Sequence, residues 1–250
     1  MEPSIYKYFL PTGRNLFIWA NSLLMLAGLF FFGWRPVIIV FAYVFETIII
    51  GIIHLFKLWY VLKYGEAQNN HVASKDPRQI NGYGIIPFFL VHYFFFIFVQ
   101  SVFIFSAVGK SLPGLSSDAF NVFGNYKFLL SQTDMQLAFA SIALANIGYT
   151  FRNFFVTGRY HKYTVNMLFM QPYIRIFIQQ LVAILAGFFF FFKDGAMVAA
   201  LLLIITRLVL DLYLQAIKYN AQARNKLKEK LSAKGSKLQV TDEQLDLFLE

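Results

Sequence analysis

Six long runs of apolar residues, separated by short polar stretches, set the pattern of the chain. A helix needs about 20 residues to cross the hydrocarbon layer of a membrane, which is about 30 Å thick. The runs lack the alternation of outer-membrane strands and are about twice the roughly 10 residues that such a strand needs. The pattern therefore predicts an all-α fold, a polytopic membrane helical bundle. Its six transmembrane helices are expected at about residues 15–33, 37–62, 84–109, 134–153, 168–192 and 196–217.

The fourth of these spans is the least apolar, since Gln136, Ser141, Asn146 and Tyr149 interrupt it. The positions of Lys and Arg support it nevertheless, because cytoplasmic loops carry an excess of these residues. With six spans, fifteen cations fall on the side of both termini and four on the other. We therefore expect both termini to be cytoplasmic, in a multi-pass protein of a bacterial inner membrane.

Composition agrees with this topology and limits the chemistry. The chain is 58% hydrophobic and 14% charged, whereas soluble domains average about 45–50% apolar and about 25% charged residues. A water-soluble enzyme is therefore excluded. The chain contains no cysteine, so disulfides and thiolate metal sites are excluded as well. No HExxH, GxSxG or glycine-rich phosphate motif is present, which leaves an enzyme unsupported.

Ionisable and amide side chains occur inside the predicted spans, where each charge costs at least about 2.5–3.5 kcal/mol and needs a partner or water. Counted from the cytoplasmic helix ends at 1.5 Å per residue, the candidates fall into two neighbouring layers. We expect them to form one polar centre that binds a proton, ion or small solute. Its members are Glu46, His54, His92, Gln100, Asn146, Arg175, Gln180, Arg207 and Asp211.

Structural interpretations of these residues stand beside the functional one. Glu46 is suited to a salt bridge with Arg175 or Arg207, because buried charges are paired. Arg207 and Asp211 are four residues apart and can pair with each other. His54 and His92 are candidates for a metal, but catalytic zinc usually takes three protein ligands and structural zinc four. We predict no cofactor, with metal or haem as the alternative.

The tail after residue 217 changes character twice. Seven cations lie between Lys218 and Lys237, against the single acidic residue Glu229, a pattern that attracts anionic cytoplasmic lipid. Residues 238–250 then form a short acidic amphipathic segment with capping-box spacing between Thr241 and Gln244. We expect this segment to dock on the protein, to bind a second copy or a membrane-complex partner, or to be disordered. The net charge of +9 follows from the topology, so no nucleic-acid partner is predicted.

Four stretches resemble an uncharacterised bacterial integral membrane family, a domain of unknown function. They are FETIIIGIIHLFKLW at 45–59, FFLVHYFFFIFVQSVFIF at 88–105, PYIRIFIQQLVAILAGF at 172–188 and RLVLDLYLQ at 207–215. The resemblance implies that the chain keeps the family's residues at five positions, Glu46, His92, Tyr173, Arg175 and Asp211. It also implies histidines in relatives at four positions that hold amides here, Gln100, Asn146, Gln180 and Gln215. Because an amide is a poor transition-metal ligand beside imidazole, a family metal or haem centre would have lost most of its ligands.

Three functions remain open at this point. The first is a membrane protein whose polar centre binds or conducts a proton, ion or small solute. The second is a non-catalytic subunit or scaffold of a membrane complex. The third is a membrane-embedded metal or haem protein with a degenerate histidine site. A channel, a carrier and a sensor would all show this pattern of residues.

Overall fold

The computed structural model describes residues 9–13, 15–65, 82–108, 112–165, 167–173, 176–177, 188–189, 192, 195–220 and 224–225. Six α-helices have defined bounds: α1 Leu16–Phe30, α2 Pro36–Tyr64, α3 Ile85–Val108, α4 Val122–Leu130, α5 Thr133–Thr150 and α6 Gly195–Tyr219. Residues 167–173 are helical too, and we call them the 167–173 segment. The described residues contain no strand, which confirms the all-α prediction.

Two compact units make up the chain. One consists of Met1–Phe32 together with Leu201–Glu250, and the other of Gly33–Ala200. In the first unit, the side chain of Asn15 stabilises the start of α1 through hydrogen bonds. Its Oδ1 accepts a hydrogen bond from the backbone N–H of Thr12 at 2.6 Å, and its Nδ2 donates to the carbonyl of Leu10 at 2.8 Å.

The second unit is organised around α2. Pro36 occupies the first turn of this helix, as its fixed φ favours. Every residue from 37 to 47 is buried, although a helix at the rim of a bundle would expose one side. The first half of α2 is therefore enclosed by protein on all faces.

Helix α5 runs parallel to α2. Contacts join Arg35 to Asp134, Phe45 to Phe139 and Phe56 to Phe155, in the same order along both segments. The last of these lies in the π-helical turn Phe151–Val156, which continues α5. Together, α5 and the π-helical turn cover most of the length of α2. The less apolar run predicted at 134–153 thus lies along most of the strongly apolar helix α2, despite the polar residues in that run.

Helix α3 runs antiparallel to α2. The Phe41 and Phe105 rings stack at one end with centroids 4.9 Å apart, and the Tyr93 hydroxyl donates to the carbonyl of Thr47 at 3.0 Å further along. The 167–173 segment in turn runs parallel to α3, because Phe169 packs on Phe88 and Tyr173 on His92. Helix α2, helix α3, helix α5 and the 167–173 segment therefore alternate in direction, as consecutive membrane spans do.

Helix α4 is short and forms a corner with α5. The two helices, taken as Val122–Leu130 and Thr133–Val156, are bent by 93° relative to each other. Phe123 on α4 is 86% exposed, whereas Tyr126 turns inward and packs on Phe45 and Phe105. The Tyr126 hydroxyl also hydrogen-bonds the hydroxyl of Ser101 on α3.

Three helices of the described chain are long and apolar enough to cross a membrane: Pro36–Tyr64, Gly82–Val108 and Gly195–Ile217. Counting the bent α4–α5 pair as one span raises the number to four, and the apolar stretch Ile18–Phe30 is shorter than a span. Most residues of the span predicted at 168–192 lie outside the described ranges. These apolar helices indicate a membrane protein, and the count of six spans stays a prediction.

Candidate functional site

Glu46 lies in the enclosed half of α2, where its side chain is 3% exposed. Asn146 on α5 donates a hydrogen bond from Nδ2 to Glu46 Oε1 at 3.3 Å. The same Nδ2 donates to the carbonyl of Ile142, one turn earlier, at 2.9 Å. The parallel packing of α2 and α5 brings the two side chains together, so this pair of predicted site residues meets across the helix interface.

His54 lies two turns after Glu46 on α2 and is also buried. Its Nδ1 donates to the carbonyl of Ile50 at 3.0 Å, and its Nε2 lies 3.3 Å from Oε1 of Gln171 in the 167–173 segment. A neutral imidazole has only one N–H. The second contact is therefore a hydrogen bond in one of two forms, with a protonated ring or with the Gln171 amide turned so that its nitrogen donates.

His92 on α3 makes a separate pair. Its Nδ1 is 2.9 Å from the hydroxyl of Tyr173. The Phe88 ring stacks on the imidazole with centroids 5.3 Å apart, and the Phe96 ring meets it edge-on at 5.0 Å. His92 and Tyr173 are two of the residues that the family resemblance retains, and the structure places them in contact with each other.

Lys57 lies one turn after His54, so Glu46, His54 and Lys57 form a polar stripe along α2. Lys57 is buried, and its Nζ lies 5.3 Å from the centroid of the Phe154 ring in the π-helical turn. A cation over an aromatic face is attracted by the ring quadrupole, more strongly where water is excluded. The π-helical turn thus supplies an apolar surface that still stabilises a buried positive charge.

Gln100 on α3 differs from the other amides. Its side chain is 6% exposed, and its Oε1 has no hydrogen-bond partner among the residues that the structure describes. Leaving a buried acceptor unsatisfied costs about 1–3 kcal/mol. Gln100 lies between Tyr93 and Phe105 on α3, which contact Thr47 and Phe41 on α2. This acceptor is therefore at the level of the enclosed half of α2.

Other predicted residues are placed elsewhere or lie outside the described ranges. Arg207 and Asp211 belong to the other unit and pair with each other, Nε to Oδ2, at 3.3 Å. This confirms the pairing that their four-residue spacing predicts. Arg175 and Gln180 lie outside the described residues, as does the tail segment 238–250. The proposed link between Glu46 and Arg175 thus stays a prediction.

Sequence reasoning missed the partners of both histidines. Gln171 was identifiable as an amide near the cytoplasmic end of a span. The family resemblance retains Tyr173, but the sequence does not identify it as the hydrogen-bond partner of His92. No group of three or more His, Asp or Glu side chains that could hold a metal occurs in the described part of the chain. Within that part, His54 and His92 each have their own hydrogen-bond partner.

Comparison with known proteins gives a family without an assigned activity. No curated protein and no solved structure matches the chain. The model of one family, described as "Family of unknown function (DUF6498)", matches residues 7–234. This match includes α1 to α6 and all the candidate site residues. It confirms the resemblance to an uncharacterised domain of unknown function, and the chain belongs to this family.

Proposed function

We propose that this protein is a six-span membrane protein whose polar centre around Glu46 binds or conducts a proton, an ion or a small solute. In this proposal both termini are cytoplasmic, as the distribution of Lys and Arg favours. The 29 residues of α2 extend about 43 Å at 1.5 Å each, close to the full thickness of a bilayer with its headgroups. The parallel register of α5 supports a second span of comparable length.

The single observation that carries the proposal is the burial of Glu46 in the enclosed half of α2. A carboxylate there is expensive to desolvate, and intramembrane ionisable residues commonly mark ion or proton pathways. Asn146 donates one hydrogen bond to this carboxyl group. A carboxyl group can accept a proton or coordinate a cation.

Acceptor oxygens favour a proton or a cation over an anion at this level of the bundle. Glu46 supplies carboxylate oxygens, and Gln100 supplies an amide oxygen without a described donor. A bound hydronium ion, metal cation or N–H donor would satisfy this acceptor.

The test is ion flux in proteoliposomes that contain a pH-sensitive dye. We expect the wild-type protein to dissipate a proton or monovalent-cation gradient and Glu46→Gln to abolish this flux. Asp118→Asn is the matched control, because Asp118 lies in an exposed loop and its Oδ1 accepts a hydrogen bond from the backbone N–H of Phe120. Equal flux in wild type, Glu46→Gln and empty vesicles would contradict the proposal.

A second candidate, a non-catalytic subunit or scaffold, is favoured by a different observation. The contacts of Glu46, His54 and His92 each join two helical segments, which is how polar side chains stabilise helix packing in membranes. In that case Glu46→Gln would leave flux at background and lower stability or the yield of co-purifying partners. If all partners are retained after residues 238–250 are deleted, the tail does not bind them. That result would exclude a scaffold that acts through its tail.

A further inference from the structure

Helix α4 exposes two phenylalanine rings on one side. Phe123 is 86% exposed, and Phe120, in the turn before the helix, is 71% exposed. Lys127 follows one helical turn after Phe123 and is exposed as well. The buried residues of α4 lie on the opposite side: Val122, Asn125 and Leu129. The helix thus has one side against the protein and one exposed, largely apolar side that ends in a cation.

Contacts on the inner side fix the direction in which the exposed side faces. Asn125 is 1% exposed, and its Oδ1 accepts a hydrogen bond from the backbone N–H of Ser116 at 2.8 Å. Tyr126 packs on Phe45 of α2 and Phe105 of α3, with ring centroids 5.0 Å and 5.3 Å apart. A rotation of α4 that buried the exposed rings would break these contacts. The exposure of the two rings is therefore determined by the packing of the opposite side.

The axis of α4 is nearly perpendicular to a membrane span in the proposed topology. Val122–Leu130 is bent by 93° relative to Thr133–Val156, the segment that contains α5. Membrane helices are tilted on average by about 20° from the bilayer normal, so α4 lies close to the membrane plane. Its nine residues extend about 13 Å, which is too short to cross the hydrocarbon layer. Helix α4 therefore lies along the membrane surface rather than across it.

Neighbouring contacts place α4 at the level where the long helices end. Arg35, directly before α2, donates a hydrogen bond from Nη2 to Oε1 of Gln132 at 3.2 Å, and Gln132 follows closely after α4. Phe105, which Tyr126 contacts, lies in the last turn of α3. The start of α2, the end of α3 and the start of α5 thus meet beside α4. In a membrane protein, a span leaves the hydrocarbon layer at such an end.

Exposed apolar surface continues from α4 onto the helices beside it. Phe103 on α3 and Leu137 on α5 are both exposed. Lipid acyl chains are as apolar as these side chains, so on spanning helices they are suitable lipid contacts. Amphipathic helices at a membrane interface bury their apolar side about 5–10 Å into the boundary between headgroups and acyl chains. The exposed side of α4 continues the surface that faces lipid and has the composition of such a helix.

We propose that α4 is an interfacial helix that binds the nearer lipid leaflet through Phe120 and Phe123. The two rings insert at the level of the lipid glycerol and the first acyl carbons. The Lys127 ammonium lies among the headgroups, as long cationic side chains do at an interface. This inference rests on the membrane placement in the proposed function, but it does not depend on the role of Glu46.

Electron paramagnetic resonance of single spin labels tests this placement, since the chain contains no cysteine of its own. Collisions of the label with oxygen, which dissolves in the hydrocarbon layer, are compared with collisions with a water-soluble nickel chelate. In reconstituted protein, labels at Phe120→Cys and Phe123→Cys should favour oxygen and lie about 5–10 Å below the headgroup boundary. Ser117→Cys is the matched control, because Ser117 is exposed in the preceding loop beside the exposed carboxylate of Asp118. Its label should favour the nickel chelate.

A label at Val99→Cys separates this inference from the membrane placement, because Val99 is an exposed residue in the interior of α3. If this label favours oxygen while those at Phe120 and Phe123 favour nickel as strongly as Ser117, the interfacial helix alone is overturned. Labels on α4 that neither reagent reaches would overturn it as well, because protein would then cover this side of the helix. A label at Val99 that favours the nickel chelate would contradict the membrane placement and, with it, this inference.

Discussion

Asn146 on α5 donates a hydrogen bond to Glu46 on α2 across 3.3 Å, within the enclosed half of α2. Asn146→Ala removes the donor, and we expect it to lower the free energy of unfolding by about 0.6 kcal/mol, up to about 1.7 kcal/mol, as interhelical hydrogen bonds in membranes do. Reversible denaturation in mixed micelles measures this change. Asn153→Ala, in the π-helical turn, is the control.

A double-mutant cycle isolates the contact from other effects of either substitution. The cycle combines Asn146→Ala, which removes the donor, with Glu46→Ala, which removes the acceptor. A coupling energy clearly different from zero is expected. Additive effects would show that the hydrogen bond adds nothing to stability.

Gly51 allows α3 to approach α2. A Cβ at this position would lie 2.8 Å from Cδ1 of Tyr93 and closer still to Cε1 of the same ring. Tyr93 cannot simply move away, because its hydroxyl is bonded to the Thr47 carbonyl. Gly51→Ala should therefore destabilise the protein by about 1–3 kcal/mol, the usual cost of overpacking.

Gly148 on α5 provides a matched control, since no atom lies within 4 Å of a Cβ placed there. Gly148→Ala should raise stability by about 0.5–1 kcal/mol through the helix propensity of alanine. Thermal unfolding of both variants in detergent measures the difference. Equal effects of the two substitutions would contradict the close approach of Tyr93 to α2.

Arg35 links the start of α2 to the start of α5 through two hydrogen bonds to Asp134. Its Nε lies 3.0 Å from Oδ2 of Asp134, and its Nη2 lies 2.9 Å from Oδ1. The Arg35 side chain is 40% exposed, so Arg35→Lys should cost only about 0.2–1 kcal/mol, the range of partly solvated ion pairs. The difference in unfolding free energy should shrink in about 1 M salt, where the Debye length falls to about 3 Å.

The outcome of Arg35→Lys also tests the geometry of the pair. Lysine retains the charge but cannot reproduce the planar fork of a guanidinium. Asp118→Asn should leave stability unchanged, because an asparagine oxygen can still accept the Phe120 hydrogen bond. A salt-independent loss in Arg35→Lys would assign the effect to packing rather than to the ion pair.

The topology can be tested by labelling single introduced cysteines. The chain contains no cysteine of its own that would give background labelling. Lys127 on α4 and Lys162 beyond the π-helical turn are both exposed, and α5 separates them along the chain. If α5 spans the membrane, a membrane-impermeant thiol reagent should label Lys127→Cys in intact cells and Lys162→Cys only in inverted vesicles. Labelling of both variants from the same side would contradict the six-span topology.

Helix positions could be predicted from the sequence because desolvation determines them. The apolar run at 37–62 corresponds to Pro36–Tyr64, and the run at 84–109 to Ile85–Val108. The π-helical turn and the 93° corner between α4 and α5 could not be predicted. They depend on packing between helices, which hydrophobic periodicity does not encode.

The contacts of the site residues also divide into those that the sequence could predict and those that it could not. Arg207 and Asp211 lie on one helix, so their four-residue spacing was sufficient to predict the pair. The partners of His54 and His92 lie on another segment, and their identity depends on helix rotation and register. Depth along the chain could place Glu46 near other polar groups, but only the parallel register of α2 and α5 identifies Asn146 as its partner.

The central claim is that the carboxyl group of Glu46 exchanges a proton or a cation with bulk water. Infrared difference spectroscopy of the reconstituted protein tests this most directly, across a pH series and across a Na⁺ or K⁺ series. The account predicts a carboxyl signal that changes reversibly in one of the two series, disappears in Glu46→Gln and remains in Asp118→Asn. A Glu46 signal that stays constant in both series, in a folded protein, would contradict it.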